Sequence, residues 1–271
     1  MRVLYLVCVY IDPKAVDAAT TFGGNGRLYL MGALALSLTL PPKSVLIQFH
    51  PQKPANNYQF NILRLQFFRK SLEWDADAYV SLDTDNIHTA QFHPTVLEIL
   101  SQHPCFGGAW SPKVNAQRQR WVKPLQEVSR FVGYPAPPYK FCAGLIGAVR
   151  PIWDEVTRLS LSWFFNYYLR HPELRAEKRW GVVPMEEHFL TVAFAPYYFD
   201  GRFRLYIIDW KGSEDPFPDP TFRYGSAHAQ CRVVITRHLR DALKGYENIK
   251  VKEALEIMRE RQIVLDDSQN K

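Results

Sequence analysis

Cysteine is sparse in this chain: four in 271 residues (Cys8, Cys105, Cys142, Cys231), scattered and without a C-x-x-C pair. That spacing indicates neither a thiolate zinc site nor a disulfide framework, and three of the four sit in apolar stretches as small core residues. Long hydrophobic runs are missing too. The longest beyond the amino terminus, Tyr29–Leu40, has about a dozen residues against the roughly 20 that cross a bilayer. The opening MRVLYLVCVYIDPK has too short an apolar run for a signal peptide and no small-residue cleavage pattern. A reducing cytoplasm is therefore the expected compartment, with no transmembrane segment. No internal repeat is present, and no low-complexity stretch longer than a loop.

What remains is ample core material, with 47% hydrophobic and 14% aromatic residues. The length suits one large α/β domain or two closely joined lobes. A net charge of +6 and a pI near 9.1 fit an anionic partner: nucleotide phosphates, acidic glycans, nucleic acid or a membrane surface.

Along the chain, Val3–Tyr10 is a continuous apolar and β-branched run, the pattern of a strand buried on both faces. After a loop over 11–26, a helix is predicted over Arg27–Leu40, stopped by Pro41-Pro42. Ser44–Phe49 reads as a strand, Asn61–Trp74 as an amphipathic helix and Ala78–Leu82 as a third strand. This order predicts a wound, mostly parallel sheet. Next come a short helix (Pro94–Gln102), a strand (Cys105–Trp110) and a basic, proline-rich loop or lid over Val114–Pro138. A strand over Tyr139–Val149 carries Gly144 and Gly147, and a long helix over Pro151–Arg170 starts with proline. Further predictions are a helix over Pro184–Ala195, a strand over Phe203–Trp210, a loop over Lys211–Gln230 and a last strand over Arg232–Ile235. A charged helix and a frayed end complete the chain.

The third strand stops at two carboxylates one residue apart, Asp83-Thr84-Asp85. Ligands of open α/β sheets bind at the carboxyl ends of the strands. Paired carboxylates there suit Mg²⁺ or Mn²⁺, hard ions that take one or two carboxylates and leave positions for phosphate oxygens. Asp83 and Asp85 are thus candidate metal ligands, with Thr84 between them a donor contact. An Asp-rich turn closing a strand is the competing account.

The runs LQFFRKSLEWDADAYVSLDTDNI and HPTVLEILSQHPCFGGAW resemble the nucleotide-binding half of GT-A-fold glycosyltransferases, in particular the collagen galactosyltransferase type. The resemblance implies a GT-A-like (Rossmann-related) mixed, mostly parallel sheet flanked by helices. It also implies a nucleotide-sugar donor, a UDP-sugar favoured, with Mn²⁺ or Mg²⁺ bridging Asp85 and Asp83 to the diphosphate. Downstream, FCAGLIGAVRPIWDEVTRL, PMEEHFLT and LYIIDWKG run in the order seen in core-2/I-branching β-1,6-N-acetylglucosaminyltransferases. Those enzymes carry a P-D-E-x-x-x-x-T helix start whose Glu is the catalytic base. Alignment on Pro184 and Thr191 places that Glu at Glu186. This chain departs from them at the donor site, since they lack the D-x-D and work without metal.

Transfer of a sugar to a hydroxyl needs neutralisation of the departing diphosphate and, for inversion, a base. Glu186 and Glu187, adjacent at a helix start, are the candidate catalytic carboxylates, competent as bases where burial raises the pKa. Acidic residues also simply suit a first helical turn. His228 is a candidate third metal ligand, and Arg237 a phosphate contact because guanidinium matches phosphate oxygens. By the same resemblance, Tyr10 and Asp12 at the first strand's end flank the nucleoside, and Asn61 and Arg64 contact the donor. Trp180, Asp209 and Trp210 are candidates for the acceptor pocket, an aromatic face suiting a pyranose; the acceptor would be a glycan or other hydroxyl compound. The expected division is a donor half (1–112), an acceptor and catalytic half (113–245) and a helical tail (246–271). Rival readings are a nucleotidyltransferase, a glycosyltransferase acting on nucleic acid, and a non-catalytic carbohydrate or nucleic-acid binder. A nucleotidyltransferase calls for a glycine-rich phosphate loop straight after the first strand, whereas Gly23-Gly24-Asn25-Gly26-Arg27 lies well downstream.

Overall fold

Alternate residues of the first strand serve two separate cores, and that division sets the architecture. In the computed structural model, which describes residues 1–10, 25–50, 54–84, 92–110, 119–179, 182–208, 243–246 and 249–266, strand β1 spans Val3–Tyr10. Val3, Tyr5, Val7 and Val9 pack into one core, Leu4 and Leu6 into the other. Period-two alternation in a strand covered on both faces produces this arrangement.

The first core is roofed by α1 (Asn25–Thr39), α3 (Phe92–Gln102) and α8 (Val251–Arg261), through residues such as Leu34, Val96 and Met258. The second is roofed by α2 (Asn57–Lys70), α4 (Gln119–Val132), α5 (Arg150–Arg170) and α6 (Glu186–Ala193). Leu65, Val128, Trp153 and Phe189 are among its members. A short α7 (Ala195–Phe199) comes directly after α6.

Among the described residues the sheet has seven strands. The others are β2 (Val45–His50), β3 (Ala78–Leu82), β4 (Cys105–Trp110), β5 (Phe141–Val149), β6 (Phe203–Ile208) and β7 (Ile263–Asp266). Their order is β6-β4-β5-β3-β1-β2-β7. All pairings are parallel except those of β5, which runs against β3 and β4. This is the mixed, mostly parallel, helix-flanked α/β sheet expected from the sequence. The chain passes from β1 to β2 on one side and returns to β3 on the other, so a switch point lies between β1 and β3. Because β5 is reversed, its amino-terminal end reaches the same rim as the carboxyl ends of β1 and β3.

One expectation is corrected. The predicted loop over 114–138 contains helix α4, although Pro124 lies inside it. Pro124, Leu125 and Val128 are buried, with Phe131 and Val132 partly covered. That spacing makes an apolar stripe, and its burial outweighs the backbone hydrogen bond that proline forfeits. At the other end β7, a strand not expected from the sequence, adds to the sheet beside β2, and of the frayed end expected over 266–271 all but Asp266 lies outside the described residues. Gln262, only 1% exposed, fixes β7 in place. Its Oε1 accepts from the Ser44 and Val45 N–H groups at 3.1 and 3.0 Å. Its Nε2 donates to the Ser37 and Pro41 carbonyls at 3.0 and 3.2 Å. Gln262→Ala removes four buried hydrogen bonds and is expected to lower stability by roughly 2–4 kcal/mol. Urea denaturation should show a lower midpoint at unchanged slope.

The remaining elements fall within a few residues of their predicted bounds. The predicted loop over Lys211–Gln230 and strand over Arg232–Ile235 lie outside the described residues. Cys105 and Cys142 are buried and Cys8 half-buried, with no disulfide among the described residues. No helix among the described residues is long and apolar enough to cross a membrane.

Candidate active site

Tyr79, Ser81 and Asp83 alternate onto the sheet face that α2 covers, and Asp83 is the first residue past β3 at the rim. Arg64, projecting from α2, meets all the polar groups there. Its Nη2 donates to Asp83 Oδ1 at 2.6 Å, to the Ala143 carbonyl at 3.0 Å and to Ser81 Oγ at 3.4 Å. Its Nη1 donates to Glu186 Oε1 at 3.3 Å. The guanidinium also lies 5.7 Å from the Phe68 ring centroid. Side-chain exposure falls from 32% at Asp83 to 8% at Arg64 and 2% at Glu186. The three form a line from the rim into the protein.

The Ala143 carbonyl is available because β5 is irregular. Pairing with β4 jumps from Gly107↔Ile146 to Gly108↔Cys142, leaving residues 143–145 bulged; bulges re-aim groups near functional sites. Ser81 Oγ also donates to this carbonyl at 2.6 Å. Gly144 sits in the bulge directly against Asp83: a Cβ there would lie 2.2 Å from Oδ2. Gly144→Ala is therefore expected to push the carboxylate off its position and break its 2.6 Å contact with Arg64, as a crystal structure of the variant would show. On the opposite face, a Cβ on Gly32 would lie 1.7 Å from the Thr84 carbonyl oxygen. Helix α1 thus packs directly on the turn that carries the carboxylates.

Glu187 has a different environment. It is paired with Lys140, and its Oε1 accepts from the Ala143 N–H at 3.1 Å. Thr191 adds a second stitch, accepting from the Phe141 N–H at 2.9 Å and donating to the Glu187 carbonyl at 2.6 Å. Successive helical residues point about 100° apart, so one carboxylate faces Arg64 and its neighbour Lys140. Burial pushes Glu186 up to about 7; Arg64 pulls down, and the nearby Glu187 charge pushes up again. Burial opposes ionisation of Glu187 as well, but the Lys140 charge and hydrogen bond hold it below the usual range. Glu187 is the ionised anchor and Glu186 the carboxyl able to exchange a proton near neutrality. Glu186 Oε2 is buried without a hydrogen-bond partner among the described residues.

The structure thus brings together Arg64, Asp83 and Glu186, with Glu187 beside them. Asn61, one turn before Arg64, is fully buried, and neither amide atom has a partner among the described residues. Thr84 is buried at the rim. Tyr10 closes β1 there, its side chain lying outside what the structure describes. Asp12, Asp85, Trp180, Asp209, Trp210, His228 and Arg237 also lie outside the described residues. Sequence reasoning missed Lys140, whose one signal was a charge set in the apolar stretch leading into β5. It also missed Ser81, and it did not foresee that Arg64, expected as a donor contact, links two carboxylates.

Among the described residues no group of three His, Cys, Asp or Glu side chains converges as a metal cage. The donor chemistry nevertheless fits a hard divalent ion. Asp83 is a part-exposed oxygen donor at the rim, and such ions need only one or two protein carboxylates when phosphate supplies the rest.

No protein family and no curated protein matches this chain. Among solved structures it is similar to the galactosyltransferase LgtC in complex with donor and acceptor sugar analogues, at 11% identity and a TM-score of 0.41, covering 94% of this chain and 95% of that one. It is similar to a cytidylyltransferase from Leptospira borgpetersenii at 10% identity and 0.37, covering 96% and 94%. Mouse xyloside xylosyltransferase 1 matches at 12% identity and 0.36, covering 77% and 86%. The chemistry of the site rests on its own residues, not on these likenesses.

Proposed function

We propose that this protein is a metal-dependent GT-A-type glycosyltransferase moving a sugar from a nucleotide-diphosphate donor, a UDP-sugar favoured, to a hydroxyl acceptor with inversion. One observation carries the reading: Arg64 joins a carboxylate at the sheet rim to a buried glutamate whose pKa lies near 7. A rim carboxylate suits diphosphate chemistry, and a near-neutral carboxyl suits general-base chemistry.

In this reading residues 1–112 bind the donor, 113–245 bind the acceptor and carry the base, and 246–271 complete the fold. Asp85 and Asp83 hold Mn²⁺ or Mg²⁺, with His228 a third ligand; when bound, the ion supplies Lewis-acid neutralisation of the diphosphate. Tyr10, Asp12, Asn61, Thr84 and Arg237 contact the nucleotide, and Trp180, Asp209 and Trp210 the acceptor. Glu186 takes the acceptor hydroxyl proton. Glu187, held by Lys140, keeps the start of α6 seated on the β5 bulge.

A thermal-shift screen of nucleotide sugars with and without Mn²⁺ tests this. Stabilisation by one nucleotide sugar, dependent on metal and lost in Asp85→Ala, is expected. Pyrophosphate release from a nucleoside triphosphate and a sugar phosphate, with no response to any nucleotide sugar, would mark a nucleotidyltransferase instead.

A further inference from the structure

Asp83 already has a cation, and the cation is Arg64. The 2.6 Å contact is a charge-assisted hydrogen bond from a guanidinium largely shielded from water, where charge interactions are screened less than at the surface. A divalent ion arriving at Asp83 meets a carboxylate whose charge is offset and a like charge behind it. Arg64 has a second place to put its charge. Its Nη1 reaches Glu186 only at 3.3 Å, a long contact for an ion pair, and Glu186 Oε2 is buried with no partner among the described residues.

We infer that Arg64 is a built-in counter-ion that competes with the divalent cation for Asp83 and shifts toward Glu186 when the cation binds. The inference rests on the metal site proposed for Asp83 and Asp85 and adds an order to its assembly. The ion alone binds weakly, and the ion with a nucleoside diphosphate binds well, because the diphosphate's negative charge offsets Arg64. Arg64 is here a positioning residue, touching neither sugar nor acceptor. The coupling is reciprocal: whatever strengthens Arg64–Glu186 strengthens metal binding, and the reverse.

The test is titration of Mn²⁺ into the full chain at pH 8, with free ion followed by electron paramagnetic resonance, alone and with UDP. Arg64→Gln removes the competitor and should bind Mn²⁺ alone about tenfold more tightly, in line with couplings between contacting charges. Glu186→Gln removes the charge that draws Arg64 away from Asp83 and should weaken Mn²⁺ binding severalfold. Should Arg64→Gln fail to fold, the direction of the Glu186→Gln shift decides alone. Wild-type binding of Mn²⁺ with UDP, together with unchanged Mn²⁺ affinity in the folded variants, overturns this inference and leaves the metal site standing. Failure of the wild type to bind Mn²⁺ even with UDP overturns both.

Discussion

Arg64→Met is expected to destabilise the fold by roughly 3–5 kcal/mol at pH 8, the cost of removing one partner from a buried ion pair. Methionine retains most of the aliphatic stem and loses the guanidinium with its contact to the Phe68 ring, so the loss is electrostatic rather than a cavity. Asp83, part-exposed, can recover water. Glu186 cannot: it is buried, and Arg64 is its one ion-pair partner among the described residues. Arg64 also holds the Glu186 pKa down, so without it Glu186 keeps its proton to higher pH. The penalty should therefore shrink at pH 5, where the carboxyl is neutral in either protein. Urea denaturation at the two pH values measures this. Equal losses at both would mean that Arg64 acts through packing.

Glu186→Gln is expected to lower turnover by about 10²–10⁴-fold, the usual worth of a general base, while donor affinity at saturating Mn²⁺ stays within a few-fold. In the wild type the ionised form is the competent one, so the rate should rise with pH and level off above about 7. The variant should lack that rise. Stability runs the opposite way. A carboxyl whose pKa is raised on folding binds more protons folded than unfolded, so its contribution is complete below the unfolded pKa. It is lost as pH climbs through about 7. Activity thus grows over the window in which this group's stabilisation fades, and Glu186→Gln should flatten both curves. Unchanged turnover in this variant removes the base assignment.

The first half of the fold was legible because its signals are local. β1 and β3 are unbroken apolar runs, and the D-x-D marks where β3 meets the rim. Helix α4 was obscured because Pro124 and surrounding basic residues look like a loop, while the stripe that makes it a helix has meaning only against the core it covers. β7 is four residues long, comes after its helix with no turn between, and is held by Gln262 contacts more than 200 residues away in sequence. The resemblance put Glu186 ahead of Glu187, but the two residues taken by themselves gave no physical reason to separate them. Their separation depends on Arg64 and Lys140, which lie 122 and 47 positions off. No periodicity encodes such pairings. They exist because a reversed strand and a covering helix converge at one rim.

Diffraction from crystals grown with Mn²⁺ and UDP, collected at the manganese absorption edge, addresses the central claim most directly. The account predicts an anomalous peak bridging the diphosphate to Asp85, with Asp83 beside it and Arg64 drawn toward Glu186. A nucleotide bound away from the β1–β3 rim, or at the rim with manganese elsewhere, would contradict it.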